Sequence, residues 1–420
     1  MMSTSPQPRP QHVAVVGAGM VGLATGWFLQ EHGVEVTVID RTGVAAGSSW
    51  GNAGWLTPGL TTPLPDPAVL RYGIKAVMSP SSPVYVPPKA DTNLARFVAG
   101  FTRNATNAAW RRNMAALVGI NGLAFSAFDD LTAGGVAEPT REARSFIAGY
   151  RSEAERTVLL EEFEHIKGAG QDMDFEVITG DEAREIEPVL SDEIGAGLLL
   201  KGQRYIDPGA FMRSLAESFV ARGGRLETGL EIMGVEEQGT QVVLRGTRGW
   251  AESFDSVVLA TGAWLGQHAR QFGVKKVVQA GRGYSFSVAV DRTPHGPVYL
   301  PAARLAMTPV GDRLRVAGMM EFRRPDEALD QRRIKAMVEA ARPLLRGADL
   351  DHREDEWVGS RPCTIDGLPL VGATRSSRVF VAGGHSMWGI SLGPATGRLL
   401  AEQIATGRRD EVLAPFDPLR

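Results

Sequence analysis

A chain of 420 residues with a formal net charge of −3 has room for more than one hydrophobic core, and its near-neutral balance gives no electrostatic reason to expect a nucleic-acid partner. Its one cysteine, Cys363, excludes an internal disulfide and a cysteine-based metal site, and the seven histidines show no paired ligand spacing. With 43% hydrophobic and 22% charged residues the composition is that of an ordinary globular protein, and no uninterrupted apolar run approaches the about 18 residues of a membrane helix, so the expected location is cytoplasmic with at most peripheral membrane contact.

Residues 1–11, MMSTSPQPRPQ, are polar and proline-bearing and read as a flexible tail, not a signal peptide. The next stretch organises the chain. Residues 12–16 are apolar and β-branched, the pattern of a buried parallel strand. Gly17, Gly19 and Gly22 follow with the spacing of a dinucleotide-binding turn: one for the tight turn, one for approach of a pyrophosphate, one for close packing of helix on sheet. The helix that follows directs its N-terminal N–H groups at the phosphates, and a second strand over 34–39 ends at Asp40, placed to take both ribose hydroxyls. Strand, turn, helix, strand and acid in this order predict an adenine dinucleotide site, FAD or NAD.

Residues 41–60 are rich in small and polar groups. Ser48, Ser49, Gly51, Asn52, Ala53 and Gly54 suit a flat ligand lying against main chain, the alternative being a plain surface loop. Residues 58–88 carry many prolines and predict a path over the surface. The pattern over 91–131 predicts two helices belonging to a second domain, and residues 141–200 mix short strands with a helix. Asp207 and Pro208 read as N-cap and first residue of a helix ending at Gly223. Residues 225–228 predict another parallel strand, 231–254 a three-stranded meander, and 256–260 an apolar strand ending in Thr261, Gly262, Ala263 and Trp264.

From Val277 onward alternation predicts one large antiparallel sheet with a covered face, followed by a helix over 332–345. The charged run 351–356 reads as a solvated connector. A strand over 379–382, the loop GGHSMWG and a helix over 393–405 return to the opening texture, and that helix start can face an anion near Gly389 and Ile390. The parallel-sheet domain is thereby expected from residues 1–65, 206–272 and 357–420, with a second domain from 66–205 and 273–356.

Three side chains carry the candidate chemistry. Arg361, between small residues and Pro362, offers a planar fork for a carboxylate; the alternative is an ion pair with Asp355 or Asp366. Tyr284, on a strand face with Arg282 and Phe286, offers a second donor or is a core residue. His385 reads as a functional histidine or a structural one.

Six ordered motifs, GAGMVG (17–22), SSWGNAGW (48–55), LATGAW (259–264), RGYSF (282–286), WVGSRPCTIDGLPLVG (357–372) and the glycine-rich ending 381–397, together resemble the D-amino-acid oxidase superfamily of flavoproteins, in its D-amino-acid dehydrogenase branch. The resemblance implies an α/β fold: a Rossmann-like FAD domain with a parallel sheet and meander, plus an inserted α+β substrate domain with a mostly antiparallel sheet. It implies FAD held by Gly17, Gly19, Met20, Val21, Asp40, Arg41, Ser48, Ser49, Gly51, Asn52, Ala53, Gly54, Val235, Thr261, Gly262, Trp264, Gly384, Trp388, Gly389 and Ile390. It implies oxidative deamination of an amino acid, with Arg361 holding the carboxylate, Tyr284 beside it, and electrons passing to a quinone or other carrier, or to oxygen. The position that carries a flavin-bound cysteine in sarcosine oxidases aligns with Gly359, so FAD is expected to be non-covalent. Where glycine oxidases have a second arginine this chain has Met387, which fits a larger or less polar substrate. The alternatives are an oxidase of N-substituted glycines or glyphosate-like amines and, from another class, an NAD(P)H-dependent flavin hydroxylase, whose further GD-containing motif is absent from the sequence.

Overall fold

The computed structural model describes residues 9–67, 79, 81–88 and 91–420. Most of the expected tail and the middle of the proline-rich stretch lie outside these residues. The organising stretch folds as its pattern requires. His12–Val16 and Glu35–Asp40 pair in parallel, Val13 opposite Val36, with helix Met20–Glu31 between them. The six-stranded sheet runs Arg225–Thr228, Glu35–Asp40, His12–Val16, Ser256–Leu259, Val379–Gly383, Leu370–Ala373; the first five are parallel and the last antiparallel.

Alternation along its strands divides two apolar layers. Val13, Val15, Val36 and Val38 face helices Met20–Glu31, Pro208–Ala221 and Gly389–Thr406. Ala14, Val16, Val257 and Leu259 face the meander of Ile232–Gln238, Gln241–Gly246 and Ala251–Phe254. Asp207 caps the helix at Pro208, accepting from the Ala210 N–H at 3.0 Å.

The texture beyond Val277 supplies five strands of a nine-stranded, mostly antiparallel sheet, and the other four come from residues 84–200. Its order begins with the edge strand Ala348–Thr364, then Val278–Val290, Arg313–Phe322 and Leu305–Val310. Tyr284, Phe286, Val288, Leu314 and Val316 on one face pack against Ile334, Met337 and Val338 of helix Gln331–Ala341.

Three local expectations change. The run 351–356 lies inside the 17-residue strand Ala348–Thr364; as an edge strand it exposes charged side chains while its backbone pairs with Val278–Val290. Arg361 therefore projects from a strand, opposite Gly281, and not from a turn. The region 91–131 forms three helices, Thr92–Asn104, Asn107–Gly122 and Ala124–Ala133. Leu117, Ile120, Phe128 and Leu131 of the last two join the apolar cluster of the parallel sheet, not that of the large sheet. By length and composition the stretch Asn107–Ala133 would reach across a membrane, but it turns at Leu123 and buries this apolar face in the fold.

Candidate active site

A long crevice opens at the C-terminal ends of the parallel strands, where loops leave strands on either side of the chain's first strand. The glycine turn forms one wall. Gly17 has φ +117°, and a Cβ there would collide with the Ala260 carbonyl of the neighbouring strand. A Cβ at Gly22 would collide with the Gly17 carbonyl, so only glycine lets the helix start this close to the turn. Helix Met20–Glu31 has no side-chain cap at Gly19, and helix Gly389–Thr406 has none at Trp388. Both helix starts face the crevice, presenting backbone N–H groups and the positive ends of two dipoles to whatever lies in it.

Of the residues singled out in the sequence, Gly17, Gly19, Met20, Val21, Asp40, Arg41, Ser48, Ser49, Asn52, Thr261, Gly262, Trp264, Gly389, Ile390 and Arg361 all line the crevice. Ser49 Oγ accepts the Met20 N–H at 3.1 Å and so tethers the serine loop to the helix start. The Asp40 carboxylate accepts three backbone N–H groups, from Ala18, Thr42 and Gly43, at 2.8–3.0 Å. That leaves about one of its roughly four lone-pair sites, room for one ribose hydroxyl where the sequence reading gave it two.

Seven expected residues stand outside the lining. Gly51 is where the Trp357 ring packs, and Gly54, at φ +76°, lies against the Ile206 carbonyl. Ala53 uses its carbonyl on the Thr308 hydroxyl, and Gly384 backs onto Thr364. Trp388 donates its indole N–H to the Thr62 carbonyl at 2.8 Å. Val235, on the meander strand Ile232–Gln238, is buried and lines a neighbouring groove with Glu231, Gln267 and His268. Tyr284 is the clearest correction: it is fully buried on the far face of the large sheet, and its hydroxyl donates to Glu321 at 2.5 Å. Burial, then this bond, pushes its phenol pKa up. It has no free donor for a substrate carboxylate.

The sequence reading missed Leu230, Glu231, Ile232, Gln267, His268, Ser360, Pro362 and Ser386, all in the lining, where Met387 also lies. Residues 230–232 directly follow the strand Arg225–Thr228, so the strand-end rule would have found them.

Two buried polar atoms of lining residues, Thr261 Oγ1 and His385 Nδ1, have no hydrogen-bond partner among the described residues. Buried polar groups are normally satisfied, so these atoms mark where a polar ligand belongs. His385 binds Thr396 through Nε2 at 2.9 Å, and burial lowers its pKa to about 4, so it is neutral at physiological pH. At the same end lies the Arg361 guanidinium, folded flat over Gly283, where any Cβ would collide with it. Nη1 donates to the Met319 carbonyl at 2.8 Å, and no carboxylate of the described residues lies within ion-pair distance. Asp355 pairs instead with Arg315, and Asp366 with Lys276 and Arg420. Burial pushes the Arg361 pKa down, the sign of a charge kept dry without a counterion.

A dinucleotide fits this arrangement along its length: acid and glycine turn at one end, orphaned polar atoms and an unpaired cation at the other. No thiol serves the ring end, since Cys363 is fully buried outside the lining and burial pushes its pKa up to about 12. Across the mouth, Asp326 of the large-sheet side bonds Arg41 at 3.1 Å and the Trp264 indole N–H at 3.0 Å. The Arg41 guanidinium stacks 3.9 Å from the Trp264 ring centre.

A family model described as FAD dependent oxidoreductase matches residues 12–403. A D-amino acid dehydrogenase of Agrobacterium fabrum is 28% identical over 410 residues, covering 96% of this chain and 97% of that protein. Among solved structures, glycine oxidase from Geobacillus kaustophilus aligns with a TM-score of 0.72 at 22% identity, over 98% of this chain and 99% of that one. The L-alpha-glycerophosphate oxidase of Mycoplasma pneumoniae, solved with FAD bound, aligns with a TM-score of 0.70 at 18% identity, over 94% of each chain.

Proposed function

The chain belongs to the family of FAD-dependent oxidoreductases, and from that premise we propose that it catalyses the oxidative deamination of a D-amino acid. The observation that carries this reading is Arg361: a desolvated guanidinium in the crevice wall, without a carboxylate partner among the described residues, with an uncapped helix start in the same wall. FAD, when bound, supplies the two-electron redox chemistry. The residues that would hold it are the glycine turn, Asp40, Ser49, Thr261, His385 and the backbone at Gly389 and Ile390.

Arg361 takes the substrate carboxylate in a two-point contact through the edge not used by Met319. That fixes one end of the amino acid and so limits the directions its Cα–H can take, a placement that supplies much of the rate. Loss of that hydrogen with its electron pair, which bound FAD would take up, and of one amine proton to water leaves an imino acid that water hydrolyses to an oxo acid and ammonia. The acids of the lining, Asp40 and Glu231, lie at the adenosine end, and His385, held to Thr396 through Nε2, keeps an Nδ1 that its pKa of about 4 makes a weak base. No strong side-chain base is needed if the amine binds in its neutral form, and none is assigned among the described residues of the lining. Met387 and Ile390 give the substrate side chain an apolar wall.

The name of the Agrobacterium relative supports the D-amino acid class. The test is anaerobic bleaching of the flavin with D-amino acids, L-amino acids, sarcosine and other N-substituted glycines. Bleaching fastest with D-amino acids bearing apolar side chains is expected; bleaching by N-substituted glycines alone would transfer the assignment to secondary amines. A quinone or other carrier is the proposed acceptor, and peroxide production in air as fast as dye reduction would reject it.

A further inference from the structure

The Arg361 guanidinium makes its hydrogen bonds to one strand segment, Met319–Met320: Nη1 donates to the Met319 carbonyl at 2.8 Å and lies 3.9 Å from Met320 Sδ. That segment is irregular. Arg282 faces Glu321 and Tyr284 faces Gly318, so Met319 and Met320 together oppose the single residue Gly283, a β-bulge. Met319 sits at φ +63°, buried in mid-strand, a conformation a non-glycine residue adopts only when its surroundings impose it. The bulge turns the Met319 carbonyl toward Arg361, and Gly283 leaves the space in which the guanidinium lies.

The imposing groups are on the far side of the sheet. The Glu321 carboxylate, fully buried, accepts the Tyr284 hydroxyl at 2.5 Å and pairs with Arg282 Nη1 at 3.5 Å and Arg323 Nε at 2.6 Å. Arg282 is held in turn by the carbonyls of Glu327 and Ala328, at 2.6 and 2.9 Å. Arg282 and Tyr284 flank Gly283. One carboxylate thereby ties both neighbours of the glycine to the strand immediately beyond the bulge. A slip by one residue would turn the Met319 carbonyl away from Arg361.

We propose that Glu321 and Tyr284 are positioning residues that lock the Met319–Met320 bulge and so aim Arg361 at the substrate carboxylate. This rests on the reading of Arg361 given above. Neither residue touches the substrate; each acts through the carbonyl that orients the guanidinium.

The experiment is a double-mutant cycle on the FAD-loaded enzyme. Tyr284→Phe removes only the hydroxyl, and Glu321→Gln keeps shape and loses charge. Each is made alone and with Arg361→Ala, and the dissociation constant of the best D-amino acid is read from the concentration dependence of anaerobic flavin reduction. Each single variant should raise that constant roughly 3- to 100-fold with the limiting reduction rate changed less, and the effect should vanish in the Arg361→Ala background. Tyr284→Phe, the milder change, carries the test if Glu321→Gln does not fold. Equal weakening with and without Arg361 would mean a general structural effect and overturn the proposal. So would single variants within twofold of wild type while Arg361→Ala weakens binding. If Arg361→Ala itself leaves binding unchanged, the carboxylate reading fails first and this proposal falls with it.

Discussion

Replacing Arg361 by alanine removes the only cation at the ring end of the crevice that has no carboxylate partner among the described residues. Two effects follow, and they separate. In the free enzyme the change deletes a dry, uncompensated charge, which relieves a desolvation cost, and leaves the Met319 carbonyl without its donor, which costs about 1–3 kcal/mol. These oppose each other, so the fold and the FAD content should stay near wild type. In the substrate complex nothing opposes the loss: a carboxylate brought into the same dry pocket is left unpaired, at roughly 2–5 kcal/mol. At about 1.4 kcal/mol per tenfold, the efficiency of flavin reduction should fall by about one and a half to three and a half orders of magnitude. Arg361→Lys should recover only part, because an ammonium cannot serve the Met319 carbonyl and a carboxylate in one plane. The assay is stopped-flow anaerobic reduction, with FAD content measured on the same samples. Near-normal reduction by every amino acid tested would refute the reasoning, and so would joint loss of FAD and folding.

Acid precipitation should release the yellow colour into the supernatant, because no thiol lines the ring end; colour and added mass on the pellet would contradict that. Asp326→Ala should speed FAD release roughly 3- to 30-fold, since it removes one exposed ion pair and one indole hydrogen bond across the crevice mouth; an unchanged release rate, followed by the rise of FAD fluorescence, would show the contact to be idle. His385 should make the protein acid-labile. Its pKa is about 4 folded against 6.5 for the free side chain, so between those pH values the unfolded chain binds more protons and stability falls as pH drops, by up to about 3 kcal/mol. Above pH about 6.5 it contributes nothing to the slope, and His385→Gln should flatten the loss of urea midpoint between pH 6.5 and 4.

The nucleotide end of the site was legible because its determinants are local. Gly17, Gly19, Gly22 and Asp40 act through backbone geometry within one strand–helix–strand unit, and their spacing in sequence is their spacing in space. The strand-end loops at 48–52, 261–264 and 389–390 follow from the same rule, since a parallel sheet collects them at one edge. Helices were harder. The apolar stripe of Asn107–Ala133 declares that a face is buried, but not that it is buried against the parallel sheet.

The substrate end is decided by contacts between residues far apart in the chain. Tyr284 looked like a donor because a strand exposes alternate residues to two faces; which face meets the crevice depends on strands laid down later. Its partner Glu321 comes 37 residues on, and the bond holds the phenol on the covered face. Arg361 stood in the sequence as a carboxylate anchor or as an ion-pair partner of Asp355 or Asp366, and its aim depends on the left-handed Met319 and the cleared space at Gly283, on two other strands. The turn and the acid were readable along the chain, and the cation nameable as a candidate, because each needs only a residue type and its nearest neighbours. Which hydroxyl was consumed and where the cation points came from long-range contacts, because register and bulges arise from pairing across a sheet.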